Sequence, residues 1–141
     1  ATNSVNFSFQ VNATDDAGGG FDTSLITSTY FSSGHAENDG SAGLQYETGK
    51  DLAQSSSFQP LTNTIGNGAD ESCAGILHLF SPSSTTYVKH FYARMSTLEA
   101  SDYMEETFIA GYINDTTAID EIQFKMSSGN FDGVIQLYGI A

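Results

Sequence analysis

The stretch AIDEIQFKMSSGNFDGVIQLYGI, residues 118–140, joins two alternating segments through a turn rich in Gly, Asn and Asp. In the first segment Ile122, Phe124 and Met126 alternate with polar residues, which predicts a half-buried strand. In the second segment Ile135 and Leu137 share one side. The pattern predicts a β-hairpin whose last strand belongs to the core. On this interpretation the chain ends where its sheet is complete.

Similar segments recur along the rest of the chain. Strands are predicted over residues 5–11, 21–31, 44–49, 74–82, 87–95, 107–113 and 118–126, with one more near 58–65. Residues 98–106 are predicted to form either a helical turn or a loop. Short strands separated by turn signals predict an all-β fold: a single antiparallel β-sandwich domain over residues 1–141, jelly-roll-like in topology.

Aromatic residues lie on both faces of the strand predicted over 87–95, so this strand is either central in its sheet or meets a partner on one face. We expect a set of aromatic residues to form a subunit interface, with the core or a sugar-stacking surface as alternatives: Tyr87, Phe91, Tyr92, Tyr103 and Tyr112. We expect docking through an interface set of Val5, Phe7, Phe9, Tyr87, Phe91, Tyr92 and Tyr138. The N-terminal strand, 5–11, is also predicted to add to a neighbouring sheet.

Composition narrows the classes of function. Four basic against 17 acidic residues give a net charge of −13, which argues against nucleic acid and anionic membrane surfaces as partners. No apolar run approaches the roughly 20 residues of a membrane-spanning helix. Cys73 is the single cysteine, so no internal disulfide forms, and we expect a buried, inert thiol. Ala1 followed by Thr2 is consistent with removal of an initiator Met, and we expect a complete gene product.

Acidic loops offer the best candidates for a metal site. Glu37 and Asp39 in HAENDG vaguely resemble a calcium loop, but the spacing misses the EF-hand register by one residue. The pairs at 15–16 and 70–71 are further loop candidates for Ca²⁺ in an assembled particle. A solvated hairpin loop remains the simpler interpretation, and we expect no bound metal or cofactor.

Catalytic signatures are weak. Two of the three histidines, His78 and His90, lie on strands that are predicted to pair, and without a third close ligand they make a poor zinc site. Glu105 and Glu106 are adjacent, so on a strand they face opposite ways, unlike a glycosidase pair. No Gly-x-Ser-x-Gly elbow is present. We expect no enzymatic activity.

The closing segment, residues 110–140, resembles a motif found at the C-terminus of many bacteriophage virion proteins, common in marine phages. Its elements are an Ala-Ile pair at 118–119, a Ser-Gly-Asn turn at 128–130 and the ending Leu-Tyr-Gly-Ile at 137–140. Residues 75–91 are similar to the phage pattern of a strand, a Pro-Ser-Ser turn and a strand with a Lys-His pair. The resemblance covers the C-terminal half well and the N-terminal half in outline.

The resemblance implies an accessory structural protein on the exterior of a phage particle, with the major capsid protein or tail proteins as partners. It also implies a homo-oligomer, for which a trimer is one form. A small acidic subunit suits a capsid decoration or cement role, and a tail or fibre component is the alternative. A secreted carbohydrate-binding module is the hypothesis from another class.

Overall fold

The computed structural model describes residues 2–13, 21 and 23–140. Its strands are β1 (Phe7–Ala13), β2 (Ile26–Ala36), β3 (Ala42–Tyr46), β4 (Gln59–Pro60), β5 (Cys73–Leu79), β6 (Lys89–Glu99), β7 (Tyr103–Ile113) and β8 (Ile119–Met126). They form a three-stranded sheet, β4-β1-β8, packed on a five-stranded sheet, β3-β2-β7-β6-β5. All pairs are antiparallel, so the predicted all-β sandwich is confirmed.

The first two strands of the chain pair with the last two. β1 pairs with β8 along its full length, and β2 pairs with β7 over eleven residues. The first strand therefore meets the last and the second meets the next to last, as in the rolled antiparallel ribbon of a jelly roll. A bulge between Asn12 and Ala13 interrupts the β1–β8 register.

Strict alternation on β6 places the core. Phe91, Ala93 and Met95 face inward and are buried, while the residues between them are exposed. The ring of Phe91 meets Phe9 of β1 edge to face, with ring centres 5.1 Å apart, and this contact joins the two sheets. The predicted alternation is confirmed from Lys89 onward, whereas Tyr87 lies before the strand and is exposed. β6 lies between β7 and β5 inside its sheet.

The first strand departs from its prediction on two counts. β1 is buried on both faces, because the amide of Gln10 donates hydrogen bonds to the carbonyl oxygens of Ser24, Ser56 and Ser57 and ties those segments over its polar face. β1 is also central between β4 and β8. The prediction that the N-terminal strand adds to a neighbouring sheet is wrong, since both of its edges are already paired within this chain.

The prediction for the C-terminal segment is also wrong. Residues 131–140 form no strand, and Val134, Leu137 and Ile140 are 85%, 90% and 91% exposed instead of lying in the core. Gly129, with φ of 70°, turns the chain after β8. After this turn residues 131–140 pair with none of the described strands.

Two middle segments also differ from expectation. Residues 98–106 form neither a helical turn nor a long loop, because β6 continues to Glu99 and β7 begins at Tyr103. The turn between them uses Asp102 with φ of 55°, so no glycine marks it in the sequence. Near residues 58–65 the strand is only Gln59–Pro60, followed by an isolated bridge from Ile65 to Val5.

Within the described residues no helix has the length and apolar character needed to cross a bilayer.

Candidate docking surface

The outer face of the five-stranded sheet carries a continuous band of aromatic side chains. We call it the outer aromatic stripe: Phe31 on β2, Phe108 on β7, Tyr92 on β6, and His78 and Phe80 at β5. Strand alternation generates the stripe, because the neighbours of the buried core residues in each strand point outward. The register pairs Phe31 with Phe108 and His78 with Tyr92, which aligns the rings across the sheet.

One half of the stripe forms a groove. Phe31 and Phe108 stack with ring centres 4.9 Å apart and nearly parallel planes, and the guanidinium of Arg94 lies 5.2 Å from the centre of the Phe108 ring. Arg94 also donates a hydrogen bond to Glu106, which raises the pKa of the guanidinium. An open cavity of about 280 Å³ is lined by Phe31, Tyr92, Arg94, Phe108 and Ala110, among others.

The other half of the stripe is an aromatic cluster at the β5 edge. Tyr92 stacks on His78 with ring centres 4.5 Å apart and lies 5.6 Å from Phe80. Tyr92 and Phe80 remain 45% and 47% exposed. Tyr92 therefore belongs to both the cluster and the groove, and it makes the stripe continuous from β2 to β5.

This face carries side chains that are common in binding sites. They are aromatic rings, the imidazole of His78 and one ion pair, and aromatic residues with arginine are enriched at protein interfaces. Flat rings beside a polar pair also suit the apolar face of a sugar.

The predicted interface set divides between the core and the surface. Val5, Phe9 and Phe91 are buried within this chain and form core contacts, so the expectation that they meet another molecule is corrected. Phe7 is half-buried, between Phe124 at 5.6 Å and Phe131 at 5.2 Å. The remaining three, Tyr87, Tyr92 and Tyr138, are exposed.

The calcium candidates Glu37 and Asp39 lie at the β2–β3 turn. Asp39 contacts the Nε2 atom of His35 at 3.0 Å, and the side chain of Asn38 accepts a hydrogen bond from the Gly40 amide. Across residues 2–13, 21 and 23–140, no group of three or more His, Cys, Asp or Glu side chains is arranged to hold a metal ion. The acidic pair at 15–16 lies outside the described residues. Glu71 of the other pair accepts a hydrogen bond from the Gly68 amide.

The strands of His78 and His90 pair as predicted, yet the two rings have different neighbours. His78 lies in the stripe, whereas His90 is near Tyr112, with ring centres 6.2 Å apart. Cys73 is half-buried on the edge strand β5, and burial raises the pKa of its thiol. A raised pKa keeps the thiol protonated and weakly nucleophilic.

A buried carboxyl pair was not predicted from the sequence. Glu99 of β6 and Glu105 of β7 both face inward and are buried, and Tyr30 of β2 is fully buried near them. Burial, together with the neighbouring Glu99, raises the pKa of Glu105 to about 7. Burial also raises the pKa of Tyr30, so its hydroxyl stays protonated. Glu106 points outward, which confirms that the two adjacent glutamates face opposite ways.

The sequence contained a signal for part of this arrangement. Alternation along β6 already placed Tyr92 and Arg94 on one face. Phe31 and Phe108 belong to two other strands, and their contact depends on the register of β2 with β7, which a single sequence does not specify.

Comparisons with known proteins add no relative. No family model matches this chain, and neither the curated proteins nor the solved structures contain a significant match.

Proposed function

We propose that this protein is a structural subunit of a bacteriophage particle, displayed on its exterior, which acts by docking to other virion proteins. The observation that carries the proposal is the outer aromatic stripe, an exposed apolar band across one face of a small acidic sandwich. Such a band on a single chain marks an interaction site. The similarity of residues 110–140 to a motif of virion proteins suggests that the partners are other virion proteins.

A decoration or cement role on the capsid is the form of the proposal that we favour. The net charge of −13 keeps unattached subunits from associating unspecifically. The stripe supplies a local apolar contact area within that acidic surface. A small subunit with an apolar binding face suits the many equivalent sites of a shell.

Two measurements test the proposal. Quantitative mass spectrometry of purified particles gives the ratio of this chain to the major capsid protein. A ratio near one supports decoration, a much smaller ratio supports a tail or fibre role, and absence from clean particles refutes the virion proposal.

Binding to particles that lack the protein tests the stripe itself. We expect Tyr92→Ser to weaken attachment at least tenfold, because truncation of a central interface aromatic commonly costs more than ~1.4 kcal/mol. The matched control is Leu25→Ser, since Leu25 is 42% exposed but lies outside the stripe. Equal attachment of both variants would refute the stripe as the docking face.

Carbohydrate binding is the second candidate, and the groove favours it. The stacked rings of Phe31 and Phe108 offer a flat apolar surface, and the Arg94–Glu106 pair offers polar groups at its margin. A glycan array with Phe108→Ser as the control would detect this activity. Binding by the free chain that Phe108→Ser abolishes would favour a module for sugars or a host-binding tail component.

A further inference from the structure

On one side of the sandwich, both sheets end in a strand whose outer edge is unpaired. Among the described residues β8 pairs only with β1, and β5 pairs only with β6, so each of these strands has an open edge. The two strands face each other: the Ile119 amide at one end of β8 donates a hydrogen bond of 2.8 Å to the Pro82 carbonyl oxygen beyond β5. At the other end Cys73 packs against the cluster that contains Met126. Both open edges therefore lie on the same side of the molecule.

The core between the two sheets is incompletely covered near β5 and β8. Gly75 of β5 pairs with the inward-facing Met95, yet Gly75 is exposed. Leu77 on β5 and Ile122 and Phe124 on β8 pack on the core but remain only half-buried. The five-stranded sheet is two strands wider than the three-stranded sheet that covers it. One more strand beside β8 would cover these apolar side chains.

The C-terminal tail, residues 134–140, has the alternating sequence expected of such a strand. It alternates Ile135 and Leu137 with Gln136 and Tyr138. Leu137 is 90% exposed and Ile135 is 52% exposed, so both could bury further apolar surface. At ~3.3 Å per residue its seven residues span about 23 Å, close to the length of β8. The tail carries no charged residue, so it can approach an acidic chain without repulsion.

We propose that the tail of one copy pairs antiparallel with the open edge of β8 in a second copy of this chain. In this conformation the tail pairs with no described strand of its own chain, its own β8 included, and Phe131 before it packs edge to face on Phe7. Exchange of a terminal strand between identical chains reproduces the contacts of the closed hairpin and requires no new surface. The resulting row of main-chain hydrogen bonds satisfies the free edge of β8.

Alternation fixes which side chains meet. Inward-facing Ile135 and Leu137 would lie beside Phe124 and Ile122 of the partner strand, in the thinly covered layer. This register also places Gln136 opposite Gln123 on the outer side. The outer positions are therefore suitable for a cross-link that leaves the core unchanged.

Disulfide trapping distinguishes exchange between copies from closure within one chain. In a Cys73→Ser background, one copy carries Gln123→Cys and a second copy, of different mass, carries Gln136→Cys. The two copies are refolded together and oxidised. We expect a cross-linked species containing one of each, at several times the yield obtained when Ser84→Cys replaces Gln123→Cys as the control.

The opposite results would overturn the proposal. A chain carrying both cysteines that closes at monomer mass, without cross-linking in the mixture, would show that the tail completes its own sheet. No cross-link in either sample above the Ser84→Cys control would show that the tail does not bind β8.

Sedimentation of the unmodified chain provides the second test. We expect an oligomer that Leu137→Asp converts to monomer, because a carboxylate would enter the inner layer. Gln136→Asp adds the same charge on the outer side and is expected to leave the oligomer intact. A wild-type monomer, or equal effects of the two substitutions, would refute the proposal. Neither experiment needs a virion, so its outcome is independent of the proposed function.

Discussion

Replacement of Glu105 by glutamine should make the stability of this protein less dependent on pH. The Glu105 carboxyl lies on the inner face of β7, and its Oε1 atom accepts a hydrogen bond from Asn63 at 3.4 Å. The Oε2 atom is buried with no hydrogen-bond partner among the residues that the structure describes. A buried carboxylate in such a place is costly, whereas the neutral acid is tolerated.

The magnitude follows from the difference between the folded and unfolded pKa values. Burial, with the nearby Glu99, raises the pKa of Glu105 from 4.5 to about 7. One pH unit corresponds to ~1.4 kcal/mol, so ionising Glu105 in the folded chain costs about 3 kcal/mol. Because the folded state binds the proton more tightly, this stability is fully present below pH 4.5 and is lost as the pH rises through 7.

Urea unfolding between pH 5 and 8, followed by circular dichroism, measures the effect. The difference in unfolding free energy between Glu105→Gln and wild type should grow in favour of the variant by about 2 kcal/mol over this range. Glu106→Gln is the matched control, because Glu106 points outward to Arg94. Titrating groups distant from Glu105 are common to both proteins and cancel in the difference, whereas Glu99 loses its acidic neighbour in the variant. If the curves of Glu105→Gln and wild type run parallel, the carboxyl is not buried as described.

Three further substitutions test the packing by the same unfolding assay. Phe9→Ala should cost about 3–5 kcal/mol, since Phe9 is fully buried against Phe91, and a loss below about 1 kcal/mol would contradict its core position. Gln10→Ala should cost about 2–3 kcal/mol, because three carbonyl oxygens lose their donor, and an unchanged midpoint would show that Gln10 does not hold those segments. Gly111→Ala should destabilise by about 1–3 kcal/mol, because its Cβ would lie 2.8 Å from the Phe91 ring and 2.5 Å from a β2 carbonyl oxygen. The control is Gly43→Ala, which meets nothing within 4 Å, and equal effects of the two alanines would argue against that close approach.

Periodicity alone was enough to predict the sandwich and several of its strands. On β6 the period of two runs from Lys89 to Glu99, and the sequence divided its residues up to Arg94 correctly between two faces. It did not identify the inner face, and Phe91 was therefore assigned to an interface although it lies in the core. The β6–β7 turn was missed because Asp102 adopts a left-handed conformation without the glycine that normally indicates one. The buried carboxyls were missed with it, since a helical turn would have placed Glu99 and Glu105 differently.

Burial on the polar face of β1 could not be predicted from β1. In β1, Phe and Val alternate with Ser, Gln and Asn, which is the pattern of a strand with one solvent-exposed face. The covering segments lie up to 47 residues away, and Gln10 holds them through long-range hydrogen bonds. A polar residue looks the same in sequence whether its partner is water or a distant carbonyl group.

The C-terminal tail shows that a strand-like sequence does not identify the strand with which it pairs. Its alternating apolar residues correctly indicate a segment with the capacity to form a strand, but capacity does not identify the strand that it joins. If the partner belongs to a second copy, that copy acts as a ligand of the folded chain, and stability increases with protein concentration. Each copy carries a net charge of −13, and this repulsion opposes assembly unless salt screens it. The tail carries no charge, so the attraction between copies acts mainly where the tail meets the open edge of β8. The acidic surface elsewhere disfavours unspecific contacts between copies.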